Sequence, residues 1–405
     1  MTYTESIEWI YSTQSFGIKL GLDAPADLLA QFQAFPTKAT KVLHVAGTNG
    51  KGSTCALADS LARSHGVRTG LFTSPHLVDF RERFSVNGEM ISEQETARGL
   101  TEIRELVSDW EHHPTFFEIA LALGMRFFRE QECELIVLET GMGGRLDATT
   151  AVPADVCVLT PIAMDHAQWL GSTLAEIAGE KAGIIVSDVP VVSSLQEKAA
   201  ATVIATRANR MRAPLTVVSE PVRVYRMGLA GAHQRENAAL ALEALSQLGV
   251  EMRYDSVKEG LANVEWPGRF ELITDSPLTV IDGAHNPQAA EILVNTWKEQ
   301  YGDEKPVVIF GAIESKDLSG VIRSIAEIAK KIIFTPIDSP RTIKFEEIAD
   351  SGELNGLDLI EAENIKDALS IAERENLSIL VTGSLYLLGE YKSLISDRQH
   401  YPTSQ

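Results

Sequence analysis

The sequence predicts two α/β domains, each a parallel sheet with helices on both faces, the second smaller than the first. Three observations carry this. Short, wholly apolar runs recur between amphipathic stretches, as strands buried on both faces alternate with helices. A glycine-rich turn, Gly47-Thr48-Asn49-Gly50-Lys51-Gly52-Ser53, joins one such run to a helix-forming stretch. The alternation breaks at Glu265-Trp266-Pro267-Gly268-Arg269-Phe270, since Pro-Gly interrupts helix and strand alike, and then restarts. A chain of 405 residues exceeds one typical core, so the expected domains are 1–266 and 267–405.

Taken in order, residues 1–40 read as helices with loops, including a loop over 17–23. The run from Val42 to Ala46 is the first strand, the glycine turn follows it, and a helix is expected from Cys55 to Ser64. A second strand is expected at Val67–Phe72, beside the first, ending in the turn Thr73-Ser74-Pro75-His76-Leu77. The apolar spacing of Phe116–Glu130 is helical. Leu135–Leu138 is a buried strand with Glu139 at its end, followed by the glycine loop Gly141-Met142-Gly143-Gly144-Arg145. Val156–Thr160 is the next strand, leading into Asp165-His166, and Val189–Ser193 is another. In the second domain strands are expected at Leu278–Ile281, Val307–Phe310, Ile332–Phe334 and Ser378–Val381. No internal repeat or low-complexity segment interrupts this pattern.

Composition removes several function classes. A net charge of −20 argues against a broad nucleic-acid surface, so no nucleic-acid partner is expected. No apolar run approaches the roughly 20 residues a membrane span needs, and the N-terminus has no basic n-region or signal core, so neither membrane nor export is expected. Three widely spaced cysteines, Cys55, Cys133 and Cys157, fit buried thiols in a reducing cytoplasm better than a disulfide framework or a zinc site.

The chemistry starts at the glycine turn. Gly47, Gly50 and Gly52 let backbone N–H groups face an anion, the helix start adds unpaired N–H groups, and Lys51 adds a mobile charge for outer phosphates. Against the pattern G-x-x-x-x-G-K-[ST], Val45 replaces the first glycine and Gly52 the metal-binding hydroxyl residue. Ligands of parallel sheets collect at the C-terminal strand ends, where Ser74, Glu139 and His166 also fall. A hydroxyl, a carboxylate and an imidazole beside phosphates can hold magnesium, although imidazole is an unusual magnesium ligand. Each has a plain alternative: a turn serine, a surface carboxylate, a structural Asp-His pair. Lys181, in Gly179-Glu180-Lys181-Ala182-Gly183, reads on its own as a solvated helix lysine. His112-His113 reads as a loop pair that does not share a face.

The glycine turn, Ser74-Pro75-His76-Leu77, Gly143-Gly144-Arg145-Leu146-Asp147-Ala148-Thr149, Asp165-His166, Glu180-Lys181-Ala182-Gly183, His233-Gln234-Arg235-Glu236-Asn237-Ala238, Pro267-Gly268-Arg269-Phe270 and Asp282-Gly283-Ala284-His285-Asn286-Pro287 occur in order across nearly the whole chain. Together they resemble the folylpolyglutamate synthase family of the Mur ligase superfamily, especially its bacterial bifunctional dihydrofolate synthase/folylpolyglutamate synthases. The resemblance implies the Mur ligase architecture: an N-terminal phosphate-loop NTPase-like domain and a smaller C-terminal Rossmann-like domain, with ATP bound between them. It implies ATP contacts at Gly50, Lys51, Gly52, Ser53, Asn237, Arg269 and Asp282, and a phosphate-facing role for His285. It further implies two Mg²⁺ sites, held by Ser74, Glu139, His166 and a carbamylated Lys181. The pteridine-binding segments correspond to Thr115-Phe116-Phe117-Glu118 and Leu146-Asp147-Ala148, where flat aromatic rings suit a heterocycle. Thr150 and Met142 stand where the family often carries asparagine and leucine.

The activity implied is ATP-dependent addition of L-glutamate to dihydropteroate, to the γ-carboxylate of a reduced folate, or to both, through an acyl phosphate with release of ADP and phosphate. The partners implied are these small molecules, and a monomer is expected. One rival is a Mur-type ligase acting on a cell-wall precursor. Another is a regulatory phosphate-loop NTPase, against which the lack of an Asn-Lys-x-Asp guanine motif and the second α/β domain both count.

Overall fold

The computed structural model describes residues 1–17, 21–314, 317–354 and 356–396; residues 18–20 of the loop expected over 17–23 lie outside these. The chain folds as two units. One comprises Met1–Pro75, Phe80–Gly228 and Gln234–Val264; the other comprises His76–Asp79, Leu229–His233 and everything from Glu265.

The first unit opens with α1 (Tyr3–Ser12) and α2 (Asp23–Gln31), then β1 (Lys41–Ala46), α3 (Lys51–Ser64), β2 (Thr69–Phe72), β3 (Phe84–Val86) and β4 (Glu89–Met90). It continues with α4 (Glu93–Leu106), α5 (Phe116–Glu130), β5 (Leu135–Glu139), β6 (Val156–Leu159), α6 (Ala167–Leu170) and α7 (Leu174–Lys181). The remainder is β7 (Val191–Ser194), α8 (Lys198–Met211), β8 (Leu215–Val218), α9 (Ala232–Gln247) and α10 (Tyr254–Ala262).

These eight strands form one sheet in the order β4-β3-β2-β5-β1-β6-β7-β8. The sheet is parallel except at one edge, where β3 pairs antiparallel with β2 and β4 with β3. That edge departs from the all-parallel expectation because residues 73–83 return the chain from β2 to β3 without a crossover α-helix, and β4 follows β3 after a two-residue turn. β5 also lies between β1 and β2, so the two are not neighbours as expected. The helix after the glycine turn begins at Lys51, four residues before Cys55, because Gly50 sits at φ +87° and turns the chain directly into it. Four adjacent strands, β2, β5, β1 and β6, therefore point their C-terminal ends the same way. Behind them α7 and α8 bury Ile177, Ala178, Ala200 and Ile204 against Cys157, Leu159 and Val191. Each large aliphatic side chain so enclosed contributes roughly 1.5–3 kcal/mol of transfer free energy.

The second unit contains β9 (Glu271–Asp275), β10 (Leu278–Asp282), α11 (Pro287–Tyr301), β11 (Val307–Phe310), α12 (Leu318–Ala326), β12 (Lys331–Phe334) and α13 (Phe345–Ala349). β13 (Leu359–Glu361), α14 (Ile365–Glu373), β14 (Ile379–Thr382) and α15 (Leu385–Ser396) follow. The strand order is β13-β12-β11-β14-β10-β9, with β9 alone antiparallel to its neighbour. Successive residues alternate between two apolar layers: Val280, Val308 and Phe310 pack with Trp297 and Ile325, whereas Ile281, Val307 and Ile309 pack with Leu387 and Tyr391. This is an open sheet covered on both faces. Among the described residues no helix is long and apolar enough to cross a membrane.

Candidate active site

The phosphate loop is held from below. Thr48 and Asn49 donate their backbone N–H groups to the Pro161 carbonyl at 3.0 and 3.2 Å. The Thr48 hydroxyl donates to the Ala163 carbonyl and accepts from the Ala163 N–H, both at 3.1 Å. The turn after β1 is thus pinned to the segment after β6. Gly47, at φ +151°, has the Thr160 side chain where a Cβ would stand. A Cβ on Gly50 would lie 2.6 Å from Asn237 Oδ1. Neither position accepts a larger residue in place.

Two ammonium groups converge on this turn. Lys51 Nζ donates to the Thr48 carbonyl at 3.3 Å, and Lys181 Nζ to the Gly47 carbonyl at 2.8 Å. Lys181 is only 3% exposed, so the solvated-helix reading of this residue is wrong. It terminates α7, and α7 is carried inward by the close approach of the Gly141–Arg145 loop. A Cβ on Gly144 would lie 2.7 Å from the Lys181 carbonyl, and the Arg145 N–H donates to the Glu180 carbonyl at 2.7 Å. Burial, reinforced by the Lys51 charge, lowers the Lys181 ammonium from 10.5 to about 7, while Asp165 and Asp147 act in the other direction.

Glu139 ends β5 beside Val45 of β1 and is buried. Its Oε2 accepts from the Ser74 N–H at 3.0 Å, so the structure brings Ser74 and Glu139 together. β5 lying next to β2 produces this contact. His166 stands at the start of the short α6 at φ +47°, its side chain is half exposed, and its ring nitrogen lies 3.8 Å from Asp165. Among the described residues no three His, Cys, Asp or Glu side chains form a ready metal cage. Ser74 and Glu139 supply hard oxygen donors, which suit magnesium.

The segments proposed for a flat heterocycle meet at one wall. Thr115 caps α5, and Thr115 and Glu118 satisfy each other: Glu118 Oε2 accepts from the Thr115 N–H at 2.6 Å and from its hydroxyl at 2.9 Å. Phe116 is core, edge-on to Tyr11 and Phe80 with the Arg83 guanidinium 5.2 Å from its ring centre. Phe117 keeps partial exposure and lies 2.7 Å from the point a Gly141 Cβ would occupy. Asp147 is buried, with its Oδ2 accepting from the Met142 N–H at 2.8 Å and its Oδ1 from the Thr149 N–H at 3.0 Å. Burial raises its carboxyl above the usual range. Leu146 stays half-buried beside it and Ala148 is enclosed.

In the second unit, Asp282 ends β10. Its two oxygens accept from the Phe270 and Ala284 N–H groups, both at 2.9 Å, and burial raises its pKa while Arg269 opposes the rise. Gly283 gives Arg269 room: a Cβ there would lie 2.6 Å from Arg269 Nη1. His285 is exposed, with Nδ1 2.9 Å from the Gly283 carbonyl, and is followed by Asn286, the cap of α11.

Two structural contributors escaped the sequence. Thr48 braces the loop through Ala163, and Gln234 bridges Ser53 and Asn237, with its Nε2 donating at 3.3 Å and its Oε1 accepting at 3.0 Å. The helical i, i+3 spacing of Gln234 and Asn237 was the available signal.

Residues 45–245 match the Mur ligase middle domain, and residues 268–385 match the Mur ligase glutamate ligase domain. The dihydrofolate synthase/folylpolyglutamate synthase of Bacillus subtilis is 33% identical, covering 96% of this chain and 98% of that protein. The structure of Escherichia coli FolC in complex with DHPP and ADP superposes with a TM-score of 0.87 at 29% identity, covering 97% of this chain and 98% of that one. A bifunctional folylpolyglutamate synthase/dihydrofolate synthase with Mn, AMPPNP and L-glutamate bound gives 0.86 at 26% identity, covering 96% of this chain and 98% of that one.

Proposed function

The chain belongs to the folylpolyglutamate synthase family of the Mur ligases, and we propose that it is an ATP-dependent ligase joining L-glutamate to dihydropteroate, to a reduced folate, or to both. The observation that carries this reading is the convergence of Lys51 and Lys181 on the carbonyls of one glycine turn. Such a turn, at the end of a central parallel strand and the start of a helix, serves phosphate.

A carboxylate does not condense with an amine unaided, because oxide is too poor a leaving group. In the proposed reaction an acceptor carboxylate oxygen attacks the γ-phosphorus of ATP and the bond to ADP breaks. The amine of L-glutamate then attacks the acyl carbon, phosphate leaves with the C–O electron pair, and the nitrogen loses a proton. Gly50, Gly52 and Ser53 present loop and helix N–H groups to the phosphates. Lys51 exchanges its 3.3 Å contact with Thr48 for the transferring phosphoryl group, whose charge it offsets. By resemblance, Asn237, Arg269 and Asp282 are assigned to the nucleotide, and His285 to its phosphates. Phe117, with Phe116 behind it and Thr115 and Glu118 fixing the helix start, offers a ring face to the pteridine beside Leu146, Asp147 and Ala148. Ser74 and Glu139 would hold magnesium, joined by His166 and a carbamylated Lys181. The metal supplies charge neutralisation between ATP phosphates.

Chemistry as well as resemblance supports the Lys181 carbamate. CO₂ adds only to a neutral amine. Burial lowers the Lys181 pKa to about 7, which makes the neutral amine far more accessible at neutral pH than in an exposed lysine. An ordinary lysine has roughly three in ten thousand neutral at that pH. The three buried free thiols and the absence of a spanning helix among the described residues support a cytoplasmic enzyme, which we take to be a monomer.

The test is ADP release with dihydropteroate or tetrahydrofolate, each with and without L-glutamate. A ligase releases stoichiometric ADP only when acceptor and glutamate are both present. Release with ATP alone at the same rate overturns the proposal in favour of a switching NTPase.

A further inference from the structure

We propose that Gln234 is a positioning residue that sets the polarity of the Ser53 hydroxyl and the Asn237 amide, so that both face bound nucleotide in the correct sense. The inference rests on the nucleotide-binding reading of the phosphate loop.

Gln234 sits in the first turn of α9 and is 1% exposed. Its Nε2 donates to Ser53 Oγ at 3.3 Å and its Oε1 accepts from Asn237 Nδ2 at 3.0 Å. A buried amide that donates at one end and accepts at the other fixes the direction of both neighbours. Because Ser53 Oγ accepts from Gln234, its own hydrogen is not spent in that bond and points onward as a donor. Ser53 lies in the first turn of α3, where unpaired N–H groups also face outward. A hydroxyl donor added there suits a phosphate oxygen. At the other end, Asn237 gives one N–H to Gln234, which holds its Oδ1 over Gly50, where a Cβ would come within 2.6 Å. Gly50, having no Cβ, leaves this Oδ1 its place.

Replacing Gln234 separates this role from ordinary packing. Gln234→Met keeps the volume and removes both hydrogen bonds. Gln234→Glu keeps the shape and the acceptor for Asn237, but can only accept from Ser53 and so draws its hydrogen inward. In the full chain, affinity for Mg²⁺-ADP is measured by calorimetry, alongside KM for ATP, acceptor and glutamate. Gln234→Met is expected to weaken ADP binding about tenfold, the scale of one lost hydrogen bond with a charged partner downstream, with KM for acceptor and glutamate changed less than about twofold. Gln234→Glu weakens ADP binding further. In a Ser53→Ala background Gln234→Met costs less than about threefold more, because its principal target is gone.

Unchanged ADP affinity in Gln234→Met, an equal rise in all three KM values, or full additivity with Ser53→Ala overturns the proposal. Should Gln234→Met fail to fold, Gln234→Glu decides: lost ADP affinity with wild-type melting supports the role, and retained affinity removes it. Lys51→Ala separates the two levels. If Lys51→Ala is inactive while the Gln234 and Ser53 effects add, only this inference falls; if Lys51→Ala turns over normally, the underlying nucleotide reading falls.

Discussion

Two lysines meeting the carbonyls of one turn make different demands on the protein. Lys51 is half-buried at a helix start and its contact to Thr48 is long, which suits a side chain that moves onto phosphate. Lys51→Ala should leave melting nearly unchanged and cut kcat at least about 100-fold, the scale of removing one charge-stabilising donor. A variant with most of wild-type kcat would remove the loop from the chemistry. Lys181 is buried and bonded at 2.8 Å, so it is a fixture of the site. A carbamate there needs the neutral amine, whose population falls as pH drops below about 7. In CO₂-depleted buffer, activity should therefore decline as pH falls through 7, and added bicarbonate should restore it. Lys181→Arg keeps a cation that CO₂ cannot modify and should stay inactive whatever the bicarbonate. An active arginine variant would refute the carbamate. The sequence alone could not reveal this burial, because Glu180-Lys181-Ala182-Gly183 is polar on its face. The glycine-permitted contacts of Gly144 and Gly183 with the facing backbone hold the end of α7 against the loop and draw the residue in.

At the scale of elements, the central strands were legible and the edges were not. β1, β5, β6, β11 and β14 are wholly or almost wholly buried, so each leaves an apolar run, broken in β1 only by His44. β4, β8, β9 and β13 are short or half-exposed, and the sequence carries no such run for them. Strand order was equally hidden: crossovers are non-local, and β5 inserting between β1 and β2 has no local signature. Yet that insertion makes the Ser74–Glu139 contact. Glu139→Ala should raise the Mg²⁺ concentration for half-maximal rate at least about tenfold, with acceptor binding little changed, if Glu139 is the hard oxygen ligand proposed. An unchanged magnesium titration would separate β5 from metal binding. The start of α5 offers a second test, because Thr115 and Glu118 spend their bonds on each other. Thr115→Ala should cost about 1 kcal/mol and lower the melting temperature by about 2–4 °C, with a rise in acceptor KM as Phe117 loses its anchor. Glu118→Gln keeps the cap and should preserve both. Intact stability with lost acceptor binding would instead make these residues direct substrate contacts.

For the whole molecule, buried ionisable groups set the response to acid, and their signs differ. His44, in the middle of β1, is 1% exposed and lies 2.9 Å from the Thr149 hydroxyl, which itself donates to Asp147. That leaves the His44 Nε2–H as the donor to Thr149. Burial lowers its pKa from 6.5 to about 3. Unfolded chains therefore bind a proton between pH 6.5 and 3 that the folded protein refuses, and stability is lost as pH falls through that window. His233, in the second unit, is lowered to about 4 by burial and by Arg269, so it acts in the same direction. Asp147 and Asp282 act oppositely: burial raises them, the folded state takes up their protons first, and acid favours folding there. The two histidines share a sign. Glu390, pushed up to about 7 by burial, acts with the two aspartates, so the histidine contribution is isolated by a variant rather than by the overall acid response. His44→Gln keeps an amide donor for Thr149 and cannot take up a proton in that range. Urea unfolding followed from pH 7 to pH 4 should show the wild type losing stability more steeply than His44→Gln, with the two curves diverging from about pH 6.5 downward. Parallel curves would mean that His44 finds a proton acceptor in the folded protein. The acid response would then belong to the carboxylates.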